Sequence, residues 1–330
     1  MNWGDFPSVV PITERFWSAH WLVNQRGGRS YDYDIALAVS ADAGASWSKP
    51  VTPHRDGAPA EHGFVSIFAR GERAGLAWLD GRDYISPKDG AAHSHDGKSG
   101  NFALRYTEVS PEGALAPEQV LDGNVCTCCP TAAAVTPAGP VVAYRGRREG
   151  EIRDNFVVRR TETGWSAPAP LGGEEWHIAG CPVNGPALAT NGLNVVAAWY
   201  TAEGNRPRVR AALSRDGGKS FGRAIVVDDR DPLGRVAVAW QDAQTAVVAW
   251  MTAADPRTTN SSIALRTIDL AGSAGPVVRL VDVSPGRDTG MPQLVSDGSR
   301  LMLAWTEPGP AYGVRTALVR NLPRSQASGN

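Results

Sequence analysis

A recurring pattern of apolar and polar positions divides the chain into six units. Each unit has an apolar strand, a turn that contains glycine, and a second strand that ends in a small residue and an aromatic one. The aromatic residues that end the second strands are Trp21, in the weakest copy, and Trp78, Tyr144, Trp199, Trp250 and Trp305. Their nearly regular spacing indicates an internal repeat, which is typical of propellers and other repeat folds.

A third strand follows each aromatic residue after a polar loop. These strands include residues 34–37, 102–105, 156–159, 209–212, 263–266 and 314–317. Their apolar and polar positions alternate, as a half-buried strand requires, and no segment has a sustained helical period. A tight turn and a fourth strand complete the unit. Six units of four antiparallel strands predict an all-β fold, a six-bladed β-propeller.

The repeat also sets the expected domain boundaries. We expect a single β-propeller domain over residues 1–322 and a flexible C-terminal tail over residues 323–330. The last unit runs out near Leu322 after three strands. We therefore expect a segment near the N-terminus, around residues 6–12, to complete the last blade and close the ring.

Two turns between third and fourth strands share the pattern Ser-x-Asp-x-Gly-x-Ser-aromatic, at residues 40–47 and 214–221. An aspartate side chain can bond backbone N–H groups of its own turn, and glycine supplies a positive φ. The pattern resembles the Asp box, or BNR repeat, of the sialidase superfamily. At the level of the repeat, the resemblance covers nearly the whole chain and implies a sialidase-like propeller, in which the boxes are structural turns.

Composition and charge exclude several classes of function. Apolar residues make up 42% of the chain, which is enough for a sizeable core. The 33 basic and 34 acidic residues nearly cancel, so we expect no nucleic-acid partner. Without an apolar run of about 18 residues we expect no membrane span. We expect a monomer that takes a small-molecule or glycan ligand.

The expected location follows from the resemblance, because sialidase-like proteins are mostly exported. The chain starts without a signal peptide. We expect a periplasmic or secreted protein whose leader is absent from this sequence, and a cytoplasmic location stays open.

The strand order places most of the chemically distinctive residues at one end of the predicted blades. If strands A to D run outward from the axis, the D-to-A connections and the B-to-C loops share one end. The Asp boxes, between C and D, occupy the other. All four cysteines and four of the six histidines fall at the first end. Since a propeller has a central channel, we expect a ligand at its mouth, where the A strands begin.

The cysteines form two groups at that end. Cys126, Cys128 and Cys129 precede the A strand of the third unit, and Cys181 precedes that of the fourth. Both groups end in Cys-Pro, and proline suits the first position of a strand. We therefore expect Cys128 or Cys129 to lie close to Cys181. Four cysteines in an exported protein predict disulfides.

A soft metal site is the alternative for the same cysteines. Thiolates with His177, and with His93 or His95, would suit a Cu or Zn ion. The spacing Cys-x-Cys-Cys is not that of a standard zinc finger. Reduced thiols are a third alternative, so the cofactor stays open between none, copper and zinc.

The resemblance to sialidases also implies a type of active site. Sialidases grip a substrate carboxylate with three arginines and use a Tyr–Glu nucleophile and an Asp acid/base. The first arginine usually stands in an Arg-Ile-Pro phrase, and here the matching residues 6–11 read Phe-Pro-Ser-Val-Val-Pro. We therefore carry over no catalytic residue, and we expect little or no turnover of a sialic-acid glycoside.

Position alone supplies candidate residues at the expected mouth. The catalytic candidates are Asp80, Asp83, Glu149, Glu151 and Tyr312. The substrate-binding candidates are Arg82, Arg145, Arg147 and Arg235. For each of them the alternative is an ion pair between blades. For the loop from Arg145 to Arg153, whose charges almost cancel, we favour a salt-bridged lip around a pocket.

Three functions are open on this basis. The first is a sialidase-like propeller that binds or hydrolyses a glycan at the axial mouth, with glycoside hydrolase chemistry if it is an enzyme. The second is a copper- or zinc-binding propeller that uses the Cys/His cluster. The third is a non-catalytic interaction scaffold. Fold alone does not decide between them.

Overall fold

The fold is a six-bladed β-propeller, as the repeat predicts. A computed structural model describes residues 3–24, 31–84, 101–310, 312–320 and 322–324. Within these ranges the chain forms six antiparallel sheets and three short 3₁₀ helices, Glu149–Glu151, Glu203–Asn205 and Arg287–Thr289. No helix in the described ranges is long and apolar enough to cross a membrane.

Consecutive strands form each sheet. The first sheet contains β1 (Ser8–Pro11), β2 (Trp17–Asn24) and β3 (Tyr33–Ser40). The second contains β4 (His62–Arg70), β5 (Arg73–Asp80), β6 (Phe102–Val109) and β7 (Gln119–Val125). The third contains β8 (Ala132–Thr136), β9 (Gly139–Arg145), β10 (Asn155–Arg159) and β11 (Ala169–Pro170).

The other three sheets repeat this order. The fourth contains β12 (Ala187–Asn191), β13 (Asn194–Thr201), β14 (Arg208–Ser214) and β15 (Ile225–Asp228). The fifth contains β16 (Gly234–Trp240), β17 (Thr245–Met251), β18 (Ser261–Asp269) and β19 (Val278–Val283). The sixth contains β20 (Gln293–Ser296), β21 (Leu301–Glu307) and β22 (Gly313–Val319).

The expected ring closure by residues 6–12 is wrong. Strand β1 pairs with β2, with Ser8 opposite His20 and Pro11 opposite Trp17, so this segment is the A strand of the first sheet. The sixth sheet has three strands in the described residues. Pairing β1 with its sequence neighbour closes a shorter loop than pairing it with the far end of the chain, which costs less conformational entropy.

The chain divides into two compact units, each with its own core. The first comprises residues 1–135, 139–169 and 177–183. Its core includes Ile35, Leu37, Leu76 and Trp78. The second comprises residues 136–138, 170–176 and 184–330, and two apolar clusters fill it.

The repeated aromatic residues hold neighbouring sheets together through carboxylates. Trp250 and Trp199 are fully buried. The indole Nε1 of Trp250 donates to Asp228 Oδ2 at 2.7 Å, and that of Trp199 donates to Glu174 Oε1 at 3.0 Å. Each carboxylate lies at or just after the outermost strand of the preceding sheet. The aromatic position therefore supplies a polar link as well as apolar volume.

The other copies keep or lose this link. Tyr144 Oη donates to Asp122 of the preceding sheet at 2.6 Å. Trp78 instead donates to Asp80 of its own strand, at 2.8 Å. Trp305 Nε1 is buried and has no hydrogen-bond acceptor in the described part of the chain.

The two Asp boxes have the same geometry. Asp42 accepts hydrogen bonds from Ser40 Oγ at 2.7 Å and from the backbone N–H and Oγ of Ser46 at 2.8 and 2.6 Å. The corresponding distances at Asp216 are 2.7, 2.9 and 2.6 Å. The bonds from Ser46 and Ser40 lower the pKa of Asp42 to about 2. Both turns follow third strands, at the end predicted for them, and act as structural turns.

Candidate functional site

A bulge at the start of β4 brings Asp5 against the second sheet. The register shifts between Gly63 and Ser66, and Phe64 has a φ of 54°. The backbone N–H of Phe64 donates to Asp5 Oδ2 at 2.8 Å. A Cβ atom on residue 63 would collide with the Asp5 carboxylate, so this approach requires glycine.

Glu61 lies beside the same bulge. The hydroxyl of Tyr33, a fully buried side chain, donates to Glu61 Oε1 at 2.6 Å. Burial raises the pKa of Glu61 to about 7, against the lowering effect of the Tyr33 hydrogen bond. Burial likewise raises the pKa of Asp5 to about 7, with a further contribution from the negative charge of Glu61. Each carboxyl is therefore partly protonated at neutral pH, as acid–base chemistry requires.

The second of the two compact units contains a bulge of the same kind, with the amide of Asn184 in place of the carboxyl of Asp5. Gly234 and Arg235 begin β16, and Arg235 has a φ of 53°. The backbone N–H of Arg235 donates to Asn184 Oδ1 at 2.7 Å. Anchoring this bulge thus needs a side-chain acceptor but no ionisable group. The acidity of Asp5 goes beyond what the structural role requires.

A stacked pair of histidines lies next to this site. The rings of His54 and His62 are 3.7 Å apart and nearly parallel. His62 Nε2 lies 3.1 Å from Asp56 Oδ2, and its Nδ1 lies 3.3 Å from the carbonyl oxygen of Tyr33. His54 Nδ1 lies 2.9 Å from Asp56 Oδ1, and its Nε2 accepts from the Ile35 N–H at 3.3 Å. All four ring nitrogens are engaged in hydrogen bonds.

These bonds favour a structural role for the histidines. Burial alone would lower the pKa of His62, but the bond to Asp56 and the charge of Asp80 raise it. His62, Asp56 and Asp80 have the spacing of a metal site, as do Asp34, His54 and His62. A metal ion there would have to displace hydrogen bonds that the ring nitrogens already make.

The loop after β5 holds three of the predicted residues. Asp80 is buried and accepts from Arg82 Nε and Nη2 at 2.8 and 2.7 Å. Arg82 also bonds Glu118 at 2.8 Å. Asp83, with a side chain 65% exposed, lies 3.3 Å from Arg105. Asp80 and Arg82 thus form an ion pair within the second sheet and its loops, and not between blades.

The loop after β9 is salt-bridged, as expected. Glu151 accepts hydrogen bonds from both Arg147 and Arg153. Arg145 is buried and donates to the carbonyl oxygen of Arg153 at 2.5 Å. Glu149 is exposed. Glu151 thus pairs with two arginines of this loop, and Arg148 pairs with Asp122 outside it.

The two candidates in the second unit lie in different environments. Arg235 is buried and donates to the carbonyl oxygens of Gly286 at 2.7 Å and Pro285 at 3.2 Å. Burial lowers its pKa. Tyr312 is 76% exposed. The guanidinium of Arg235 is thus used to hold a loop of its own unit.

The cysteines confirm the expected proximity. Cys128 and Cys181 form a disulfide with Cα atoms 6.0 Å apart. Cys126 and Cys129 lie outside this bond, with their sulfur atoms 3.8 Å apart. Cys126, Cys128 and Cys129 offer three sulfur atoms within 4.8 Å of one another.

A metal ion at these sulfurs stays a prediction with two features against it. The disulfide removes Cys128 as a thiolate ligand, and the guanidinium of Arg153 lies 3.4 Å from Cys126 Sγ. A positive charge so close opposes a cation. His177 is exposed and is not part of this sulfur group, and His93 and His95 lie outside the described residues.

The sequence did not predict Asp5, Glu61 or Tyr33 as site residues. Glu61 falls in the expected end of the blades but carries no motif, and Asp5 is distant from it in sequence. Tyr33 is the first residue of a third strand, where an aromatic side chain is expected to belong to the hydrophobic core. The sequence signal at this place is Gly63, which leaves room for the Asp5 carboxylate. The reason for this glycine is visible only once the geometry of the bulge is known.

Comparisons with known proteins identify the fold and no family. No protein-family model matches the chain, and no curated protein matches it. A protein of unknown function from Dyadobacter fermentans matches with a TM-score of 0.58 and 15% identity, over 95% of this chain and 93% of its own. The NanB sialidase from Streptococcus pneumoniae matches with a TM-score of 0.56 and 10% sequence identity, over 93% of this chain. The fold is that of sialidase propellers.

A further sialidase, from Trypanosoma rangeli, gives a TM-score of 0.55 with 11% identity over 95% of this chain. The chain spans 67% of the NanB structure and 54% of the Trypanosoma rangeli structure. Identities this low show a shared fold alone, so the function has to be argued from the residues of this chain.

Proposed function

We propose that this protein binds a neutral glycan at the end of the blades where the A strands begin and hydrolyses a glycosidic bond there. Asp5 and Glu61 act as the acid and the base. The observation that carries the proposal is the pair of interacting carboxyls at the start of β4, each with a pKa of about 7. Glycoside hydrolases of most families use two carboxyl groups, one protonated and one ionised.

The chemistry requires the two carboxyls to take different roles. The protonated group donates its proton to the glycosidic oxygen as the bond from that oxygen to the anomeric carbon breaks. The ionised group removes a proton from the water that attacks the anomeric carbon, or attacks that carbon itself. Tyr33 is a positioning residue, because its hydroxyl holds Glu61 Oε1 and is itself buried.

The arginines support a neutral substrate. Arg82 bonds Asp80 and Glu118, and Arg147 bonds Glu151. Arg145 and Arg235 donate to backbone carbonyls. All four predicted substrate-binding arginines therefore have partners within the protein, whereas gripping a substrate carboxylate requires available guanidinium donors.

The disulfide supports an exported protein, because disulfides persist in oxidising compartments and are rare in the cytosol. We therefore propose a periplasmic or extracellular location. A glycan substrate is in keeping with that location.

Turnover of a panel of glycosides tests the proposal. We expect release of the leaving group from at least one neutral glycoside and none from a sialic-acid glycoside. Asp5→Asn and Glu61→Gln should each lower kcat by about 100-fold or more, the range for lost acid–base catalysis. Asp5→Asn should still fold, because Asn184 anchors the equivalent bulge.

The control is Asp42→Asn, which changes a carboxylate in an Asp box at the opposite end and should leave kcat unchanged. Calorimetric titration with the same glycans separates binding from hydrolysis. The proposal is overturned if no neutral glycan is bound or cleaved, or if both carboxyl variants retain wild-type turnover.

A further inference from the structure

Two of the four cysteines, Cys126 and Cys129, lie as a dithiol beside the disulfide that the other two form. Cys126 and Cys129 have the Cys-x-x-Cys spacing of many redox-active dithiols, and their sulfur atoms are 3.8 Å apart. Cys126 Sγ also lies 3.9 Å from Cys128 Sγ, which is bonded to Cys181. The sulfur of Cys126 is thus in contact with a sulfur of the disulfide. All four cysteines belong to the first of the two compact units.

The surroundings of Cys126 favour its thiolate. Arg153 Nη1 approaches its sulfur to 3.4 Å, and Glu151 holds this guanidinium in place. The hydrogen bond from Cys129, opposed by burial and helped by the charges of Arg153 and Arg145, lowers the pKa of Cys126 below that of an ordinary thiol. A thiolate, and not a thiol, is the form that attacks a disulfide.

We propose that these cysteines form a thiol–disulfide exchange site, in which the Cys126–Cys129 dithiol reduces the Cys128–Cys181 disulfide. In the first step the Cys126 thiolate attacks Cys128 Sγ. A Cys126–Cys128 bond forms, the Cys128–Cys181 bond breaks, and its electron pair leaves on Cys181 as a thiolate.

In the second step Cys129, which gives its proton to the released thiolate, attacks Cys126 Sγ. A Cys126–Cys129 disulfide forms, and Cys128 leaves as a thiolate. Two electrons pass from one cysteine pair to the other, so the exchange needs no outside oxidant or reductant. It is independent of the proposed glycoside hydrolysis.

The four sulfurs differ in their exposure to solvent. Cys126, Cys128 and Cys129 are at most 4% exposed, whereas Cys181 is partly exposed. The exchange therefore moves reducing equivalents from a buried dithiol to the cysteine that solvent reaches. Once reduced, Cys181 is placed to react with a low-molecular-weight disulfide, and exchange opens the link between residues 126–130 and 177–183.

Mapping of disulfides in the folded protein tests the proposal. The protein is incubated at pH 8 with excess N-ethylmaleimide, quenched in acid, and analysed by mass spectrometry without reduction. In the wild type we expect two connectivities, Cys128–Cys181 and Cys126–Cys129, with alkylated Cys181 accumulating over time. In Cys126→Ala we expect Cys128–Cys181 alone and labelling of Cys181 at least ten times slower.

The variant Cys129→Ser provides a second, independent result. It keeps the nucleophile but lacks the resolving thiol, so we expect the Cys126–Cys128 intermediate to accumulate with Cys181 alkylated. Circular dichroism verifies that each variant is folded. A single Cys128–Cys181 connectivity in both the wild type and Cys129→Ser would overturn the proposal, as would equal labelling of Cys181 in the wild type and Cys126→Ala.

Discussion

Asp5 combines a structural role with the proposed chemical role at a single residue. Its carboxylate anchors the bulge at Phe64, as the amide of Asn184 anchors the bulge at Arg235. The difference between them is that Asp5 can ionise and lies close enough to Glu61 for its pKa to respond. An acid in a position where an amide suffices costs stability whenever it is charged, which is the pattern expected of a functional residue.

This cost predicts a pH dependence of stability. A carboxyl whose pKa is raised on folding contributes stability that is complete below about pH 4 and is lost as the pH rises through about 7. Between pH 5 and 8 we expect the wild type to lose about 1–2 kcal/mol of unfolding free energy relative to Asp5→Asn. Urea denaturation at a series of pH values measures the difference.

Asp42→Asn is the control for this series. The pKa of Asp42 is lowered, so its contribution is already complete at pH 5 and should not change up to pH 8. A difference between wild type and Asp5→Asn that stays constant over this range would show that Asp5 titrates at an ordinary pKa.

At the level of the strand, the aromatic residue of each second strand explains both the regularity of the repeat and its variations. Burial of an aromatic ring is readable from sequence, and every second and third strand lies where the pattern predicts it. The carboxylate partner was not predictable, because Asp122, Glu174 and Asp228 occupy different positions relative to their outer strands. Only the packing of sheets brings each one to its ring.

Two tryptophans with different partners provide a matched test of this link. Trp250→Phe removes a donor from buried Asp228, whereas Trp305→Phe removes an indole N–H that has no acceptor in the described residues. Hydrogen bonds to charged groups contribute about 1.5–3 kcal/mol. We expect Trp250→Phe to lower the free energy of unfolding by about 2 kcal/mol more than Trp305→Phe, measured by urea denaturation. Equal losses would mean that the rings act through volume alone.

For the whole molecule, the repeat predicted the number of blades, the end that carries the Asp boxes and the proximity of Cys128 or Cys129 to Cys181. The closure of the ring was not predictable from strand count, because local pairing of β1 with β2 competes with closure by the chain ends. The charged residues at the expected mouth did not predict the proposed catalytic carboxyls. Residues such as Asp80 and Arg82 form ion pairs, whereas Asp5 and Glu61, the proposed catalytic carboxyls, are distinguished by their burial and are joined by no sequence motif.

The most direct test of the central claim is a titration of the Asp5 and Glu61 carboxyl carbons by ¹³C nuclear magnetic resonance, with signals assigned from Asp5→Asn and Glu61→Gln. The claim is that the start of β4 holds two carboxyls that are partly protonated at neutral pH. We expect both signals to titrate with midpoints near 7, while that of Asp42 in the same spectra titrates near 2. Midpoints near 4 for both Asp5 and Glu61, the ordinary value for such groups, would contradict the account.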